Sequence, residues 1–172
     1  MKSLSRQQLD SLLQVARKHS EADYAAMLIG FNHALRVSEI LALSHENVQD
    51  GHLCVQRLKG SNKTTQPLLA SEKAIVETLA AKGGRFFSIC RKTLWMHMKA
   101  YAAEAGIPEF LAHPHVLKHT SGRLGFKGGM SIPDLVSYLG HKNPANSLIY
   151  AQSEESEAAK AFAAAVGQIN YS

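Results

Sequence analysis

Leu139-Gly140-His141-Lys142-Asn143-Pro144-Ala145-Asn146-Ser147-Leu148-Ile149-Tyr150 sets a tyrosine a fixed distance beyond a histidine, across the start of a helix. Gly140 suits the end of a preceding helix, where the chain often turns through positive φ. Asn143-Pro144 reads as an N-cap followed by proline at the first helical position. The helix that starts there carries Tyr150, a candidate nucleophile. Taken alone, the stretch is a half-buried helical tyrosine after a turn histidine, and only the rest of the chain shifts that reading.

Working back from this stretch, Ser131-Ile132-Pro133-Asp134 caps a short helix through Leu135, Val136 and Leu139 that delivers the chain to Gly140. Before it, His113-Pro114-His115-Val116-Leu117-Lys118-His119-Thr120 opens a helix running to about Phe126, broken by Lys127-Gly128-Gly129. Helical periodicity also predicts elements over residues 5 to 18, with Ser5 and Gln8 as a capping box, over Glu21 to His33, apolar nearly all round, over Ser71 to Lys82, and over Arg91 to Ala105. Between them, His52 to Leu58 and Thr64 to Leu68 alternate as a hairpin around Lys59-Gly60-Ser61-Asn62-Lys63. Composition alone reads that tip as a solvated turn. The fold class expected is mainly α with a small antiparallel β-sheet.

Arg36 and Glu39 stand alone among apolar residues in Ala34 to Leu43. Burying a guanidinium is costly unless it is paired or poised for an anion, so Arg36 either bridges to Glu39 or points into a phosphate site. Arg91, Lys92 and Lys99 lie on one predicted helix and fit a nucleic-acid backbone or a solvated face equally. The pair His115 and His119, four residues apart, suits zinc, but no Glu follows His115 and no third ligand is evident.

The whole chain of 172 residues is long enough for one core. Its net charge of +5 with histidines neutral favours a polyanionic partner. The two cysteines, Cys54 and Cys90, lack CxxC spacing and read as buried free thiols of a cytoplasmic protein. No run approaches the roughly 18 apolar residues of a membrane span.

Arg36, Lys59, His115, His141 and Tyr150 resemble, in order and spacing, the active-site set of the tyrosine recombinases, the phage integrase and Xer family. Ala34-Leu35-Arg36-Val37-Ser38-Glu39 is similar to the first family box. Leu58-Lys59-Gly60-Ser61-Asn62-Lys63 is similar to the hairpin carrying the family lysine. His113 to Thr120 resembles the second box, and Leu139-Gly140-His141 with Tyr150 the third. The resemblance runs from about Leu4 to Tyr150 and departs at Lys118, which stands where the family has its second arginine.

The resemblance implies the recombinase catalytic fold and a single catalytic domain over 1–172, with a C-terminal helical tail from about 154 and the N-terminal core-binding domain absent. It implies cleavage and rejoining of double-stranded DNA through a 3′-phosphotyrosine, without cofactor or metal, by an assembly expected to be a tetramer on DNA. In this scheme Tyr150 attacks the scissile phosphate and Arg36, Lys118 and His141 meet its charge. Lys59 protonates the leaving oxygen, and His115 accepts or relays the tyrosine proton. Glu39 orients Arg36. The tail, Glu154 to Val166, is expected to be mobile or swapped onto a neighbouring protomer. Lysine at 118 leaves a rival reading open, a recombinase-fold protein that binds DNA and cleaves it poorly.

Overall fold

Ser5 Oγ accepts from the Gln8 N–H while Gln8 Oε1 accepts from the Ser5 N–H, closing the capping box legible in the sequence. This starts α1 (Arg6–His19), which buries Leu9, Leu12, Val15 and Ala16. Ser20 then caps α2 (Glu21–Asn32), whose residues are buried nearly all round because it packs between α1 and a later helix. The computed structural model describes residues 2–58 and 61–151.

Beyond α2 the chain turns through Ala34, a non-glycine residue at φ 50°, into the short α3 (Val37–Ala42). Three strands follow, β1 (Val48–Gln49), β2 (His52–Val55) and β3 (Thr64–Pro67), forming an antiparallel sheet in sequence order. Leu53 pairs with Gln66 and Val55 with Thr64, and all four face inward. The strand period of two makes one face of the hairpin core and leaves the other to solvent.

Five α-helices follow the sheet in the described chain. They are α4 (Lys73–Ala81), α5 (Arg91–Glu104), α6 (His115–Lys127), α7 (Ile132–Leu139) and α8 (Ala145–Ala151). The main core joins α1, α2, the sheet and α5 around Leu12, Ile29, Leu35, Leu53, Met98 and Leu117. A second, smaller cluster unites Ala34, Leu135, Leu139 and Tyr150. The architecture is therefore mainly helical with one small antiparallel sheet, as expected. No described helix is long and apolar enough to cross a membrane.

Two expectations change. Cys90 is exposed, because it lies at the N-cap of α5 outside any strand, and Cys54 is only partly buried; both are free thiols. The hairpin end is not simply solvated. Ser61 is 7% exposed and forms an isolated antiparallel bridge to His141, and the Asn62 N–H donates to Gly140 O at 2.8 Å. The tail from Glu154 lies outside the described residues.

Gly140 makes that docking possible. It ends α7 at φ 67°, and a Cβ there would sit 3.0 Å from Asn62 O and 3.1 Å from Thr64 Cγ2. Gly140→Ala is expected to lose roughly 1–2 kcal/mol from the left-handed backbone alone, with further loss as the hairpin is pushed away. Chemical denaturation of the two proteins checks this; equal midpoints would show that the turn relaxes freely.

Candidate active site

Arg36 stands at the N-cap of α3 with its backbone N–H on Glu39 Oε2 at 2.8 Å. Its Nη1 donates to Glu39 Oε1 and to Ser61 Oγ, both at 3.1 Å, and 32% of the side chain remains exposed. The pairing with Glu39 and the opening towards a ligand therefore coexist.

Glu39 is buried and serves a second guanidinium. Its carboxylate also accepts from Arg57 Nη1 and from the Leu58 N–H, each at 3.1 Å. Burial pushes the Glu39 carboxyl up, but the backbone donors of Arg36 and Leu58 and the charge of Arg57 outweigh it, leaving the net value below the ordinary range.

Arg57 is fully occupied. Its Nε donates to Thr64 Oγ1, Nη1 to Ala34 O and Glu39, and Nη2 to His33 O and, at 3.4 Å, to Tyr138 O. All five N–H donors of a guanidinium are thus used inside the protein. Arg57 is a clamp between the end of α2, the hairpin and α7, with no donor left for a phosphate.

Lys118, one turn into α6, is 3% exposed and donates from Nζ to Ala34 O and Leu139 O, both at 3.0 Å. An ammonium has three donors, so one is left for the cleft. Burial, then the charges of Arg57 and Arg36, lower the Lys118 pKa to about 7 against the opposing pull of Glu39. His141 is 8% exposed and its Nδ1 lies 2.8 Å from Ser147 Oγ. Burial and the charges of Lys118, Arg36 and Arg57 hold its pKa down to about 4. His115, at the first position of α6, is exposed; partial desolvation and the charges of Lys118 and Arg36 lower its pKa.

Tyr150 is 3% exposed, and burial pushes its phenol up to about 12. Its Oη lies 3.3 Å from Nδ1 of His119. Arg36, Ser61, His115, Lys118, His119, His141 and Tyr150 line one cleft of about 260 Å³. A neighbouring cavity of about 450 Å³ shares Arg36 and His115 and adds Arg91, His113 and Trp95. Trp95 is 42% exposed there. Lys99 is paired with Glu109 at 2.7 Å and lies over the Trp95 ring. Lys59 lies outside the described residues. Among the described residues no group of three or more His, Cys, Asp or Glu is arranged to hold a metal.

Comparison with known proteins places the chain in a family. A model of the phage integrase family matches residues 2–157. The chain belongs to that family, the tyrosine recombinases. The type 1 fimbriae regulatory protein FimE of Escherichia coli K12 is 26% identical over 151 residues, 76% of this chain and 74% of that protein. Tyrosine recombinase XerA of Pyrococcus furiosus is 29% identical over 164 residues, 87% of this chain, which spans only 56% of the XerA length. Among solved structures, XerA recombinase superposes with a TM-score of 0.75 at 19% identity, over 99% of this chain and 66% of that one. The catalytic domain of bacteriophage HP1 integrase gives 0.73 at 21% identity over 94% of both chains. The fold is that of this family's catalytic domains.

Two members of the site escape sequence reasoning based on motifs. Arg57 lies two residues beyond the end of β2, in register with the inward-facing Leu53 and Val55, so the alternation suggests that it points inward but not what it binds. His119 lies one turn beyond His115 on the same face of α6, a spacing that suggested zinc but here meets Tyr150.

Glu39 is the only carboxylate paired with the buried Arg57 among the described residues. Glu39→Ala leaves the Arg57 guanidinium buried without its carboxylate, and removal of one partner of such a pair costs roughly 3–5 kcal/mol. Because the folded pKa of Glu39 is depressed, its contribution is complete above the unfolded value of about 4.3 and is lost as pH falls through the lower folded value. Urea denaturation of wild type and Glu39→Ala near neutral and at acid pH checks both statements, and the difference between them should shrink in acid.

Proposed function

We propose that the chain is a site-specific DNA recombinase that cleaves and rejoins double-stranded DNA through a 3′-phosphotyrosine intermediate, with residues 1–172 as its catalytic unit. The observation that carries this reading is the single cleft shared by Arg36, His115, Lys118, His141 and Tyr150. Relatives named as tyrosine recombinases support it. So do solved structures of XerH recombinase bound to its difH substrate and of Tn1549 integrase with transposon end DNA.

In this mechanism Tyr150 attacks the scissile phosphorus and the 5′ oxygen leaves, so the bond energy is kept in the phosphotyrosine. Arg36, the third N–H of Lys118 and His141 meet the charge on the non-bridging oxygens. Such fixed donors dominate catalysis of phosphoryl transfer. In the family scheme His115 accepts or relays the phenol proton. Lys59 protonates the leaving oxygen as general acid. Assembly as a tetramer on DNA, in the cytoplasm, belongs to the same reading.

A nicked duplex that releases a short strand on cleavage traps the covalent intermediate. Wild type is expected to give a covalent band and Tyr150→Phe none, with DNA affinity nearly equal. Lys118→Met should slow trapping by roughly a hundredfold. Equal yields from wild type and Tyr150→Phe would sink the recombinase reading.

The depressed pKa of Lys118, about 7, gives a second test. A phosphodiester entering beside it stabilises the ammonium and raises that value, so binding takes up a proton and affinity falls as pH rises through about 7. Calorimetry of DNA binding to the Tyr150→Phe protein in buffers of different ionisation enthalpy should show net proton uptake. That uptake should diminish in the Tyr150→Phe protein that also carries Lys118→Met.

A further inference from the structure

α6 passes Tyr150 with His119 and Gly122 one turn apart on the facing side. The tyrosine ring lies so close to the helix that a Cβ on Gly122 would fall 2.6 Å from both Cε1 and Cζ. Only glycine admits the ring in this position. With the ring seated there, Oη comes to 3.3 Å from His119 Nδ1, and the ring centroids are 6.3 Å apart. His115, to which the motif assigns the tyrosine proton, instead packs edge-on against His119 at 4.7 Å between centroids. The contact to the phenol belongs to His119.

Building on the recombinase reading, we infer that His119 is the catalytic proton acceptor for the Tyr150 phenol and that Gly122 is the positioning residue that seats its ring. During attack the Oη–P bond forms and the P–O5′ bond breaks. The phenol proton passes to Nδ1 of His119, and the leaving 5′ oxygen takes its proton from the general acid assigned to Lys59. Rejoining reverses each transfer: the 5′ hydroxyl attacks phosphorus, and His119 returns the proton to the departing phenolate. This direction requires the Nε2–H tautomer before cleavage.

The electrostatics tie the transfer to substrate. Burial, then His115, His113, Lys118 and the amino-terminal charge, hold the His119 pKa down to about 4, and His141 faces it as well. The ring is therefore neutral near physiological pH, with a lone pair available. It is also a weak base while the cleft holds only cations, against a phenol near 12. A phosphodiester beside Arg36 and His115 opposes the Coulombic part of that depression, so the proton affinity of His119 rises when DNA is bound.

The test is single-turnover trapping of covalent protein on the nicked duplex, from about pH 6 to about pH 9, where a general base typically contributes 10²–10⁴-fold. His119→Asn keeps a polar group near the phenol but cannot take its proton. It should be slower by about a hundredfold or more near pH 7, and the deficit should narrow as alkali ionises the phenol directly. Replacing Tyr150 by a fluorinated tyrosine of lower pKa should likewise restore much of the rate of His119→Asn. Gly122→Ala should slow trapping by a factor that does not vary with pH, since it displaces the ring without removing the base. DNA affinity should be unchanged in each variant. If His119→Asn proves unfolded by circular dichroism, His119→Gln is read in the same way. A wild-type rate in the His119 variant, or a deficit constant across pH and insensitive to the fluorinated tyrosine, overturns the inference. Absence of covalent product from wild type itself overturns the recombinase reading, and the inference with it.

Discussion

The ion pair of Arg57 with Glu39 is the constraint on which the site is built. Both groups are buried, with side chains 0% and 1% exposed, so neither has water as an alternative partner. The guanidinium holds the carbonyls of His33, Ala34 and Tyr138 and the hydroxyl of Thr64, while the carboxylate holds the backbone of Arg36 and Leu58. Three segments distant in sequence are thereby fixed to one charged centre. A buried pair is an uncertain source of stability by itself, since apolar replacements of equal volume often do as well. What it supplies here is geometry, because its hydrogen bonds specify where Arg36 begins its helix and where the hairpin leaves the sheet.

Ala34 shows the same constraint acting on the backbone. A non-glycine residue at φ 50° is strained by roughly 1–2 kcal/mol. Its carbonyl is the shared acceptor of Arg57 and Lys118, two charged donors at 3.0 Å. Charge-assisted hydrogen bonds are about twice as strong as neutral ones, sufficient to hold such a turn. The turn in turn delivers Arg36 to the cleft instead of extending α2.

Much of this was legible in the residues. Ser5 with Gln8, Ser131 with Pro133, and Gly140 announce helix ends through local chemistry that does not depend on distant contacts, and the hairpin shows in alternation. The family boxes place Arg36, His115, Lys118, His141 and Tyr150, and the fold does bring them to one cleft. Residues whose roles depend on tertiary approach were not legible. Arg57 stands in the sequence beside a basic turn, and only the approach of His33, Ala34, Glu39 and Tyr138 makes it a buried clamp. Trp95 borders a cavity, because α5 turns that side towards Arg36 and His115, an orientation that helical spacing alone does not give. Gly122 carries no signal in sequence, since only the nearness of the Tyr150 ring shows why a side chain is excluded.

The lysine in place of the family's second arginine can now be weighed on geometry. At position 118 a cation must satisfy Ala34 O and Leu139 O as well as face the cleft. An ammonium does this with two N–H groups and has a third left, whereas Arg57 already fills the neighbouring space with a fully bonded guanidinium. A second guanidinium beside it would add charge to a pocket that already lowers the Lys118 pKa to about 7, and unlike lysine it could not relieve the repulsion by losing its proton. Lysine therefore suits a cleft whose positive charge is regulated by its occupant. With the Lys118 pKa lowered to about 7 the charge is partly given up near neutral pH, and on the recombinase reading proposed above a bound phosphate would restore it. The cost is the planar fork that would hold two oxygens at once, so Lys118 contributes a point charge and one directed donor while Arg36 remains the guanidinium open to the cleft.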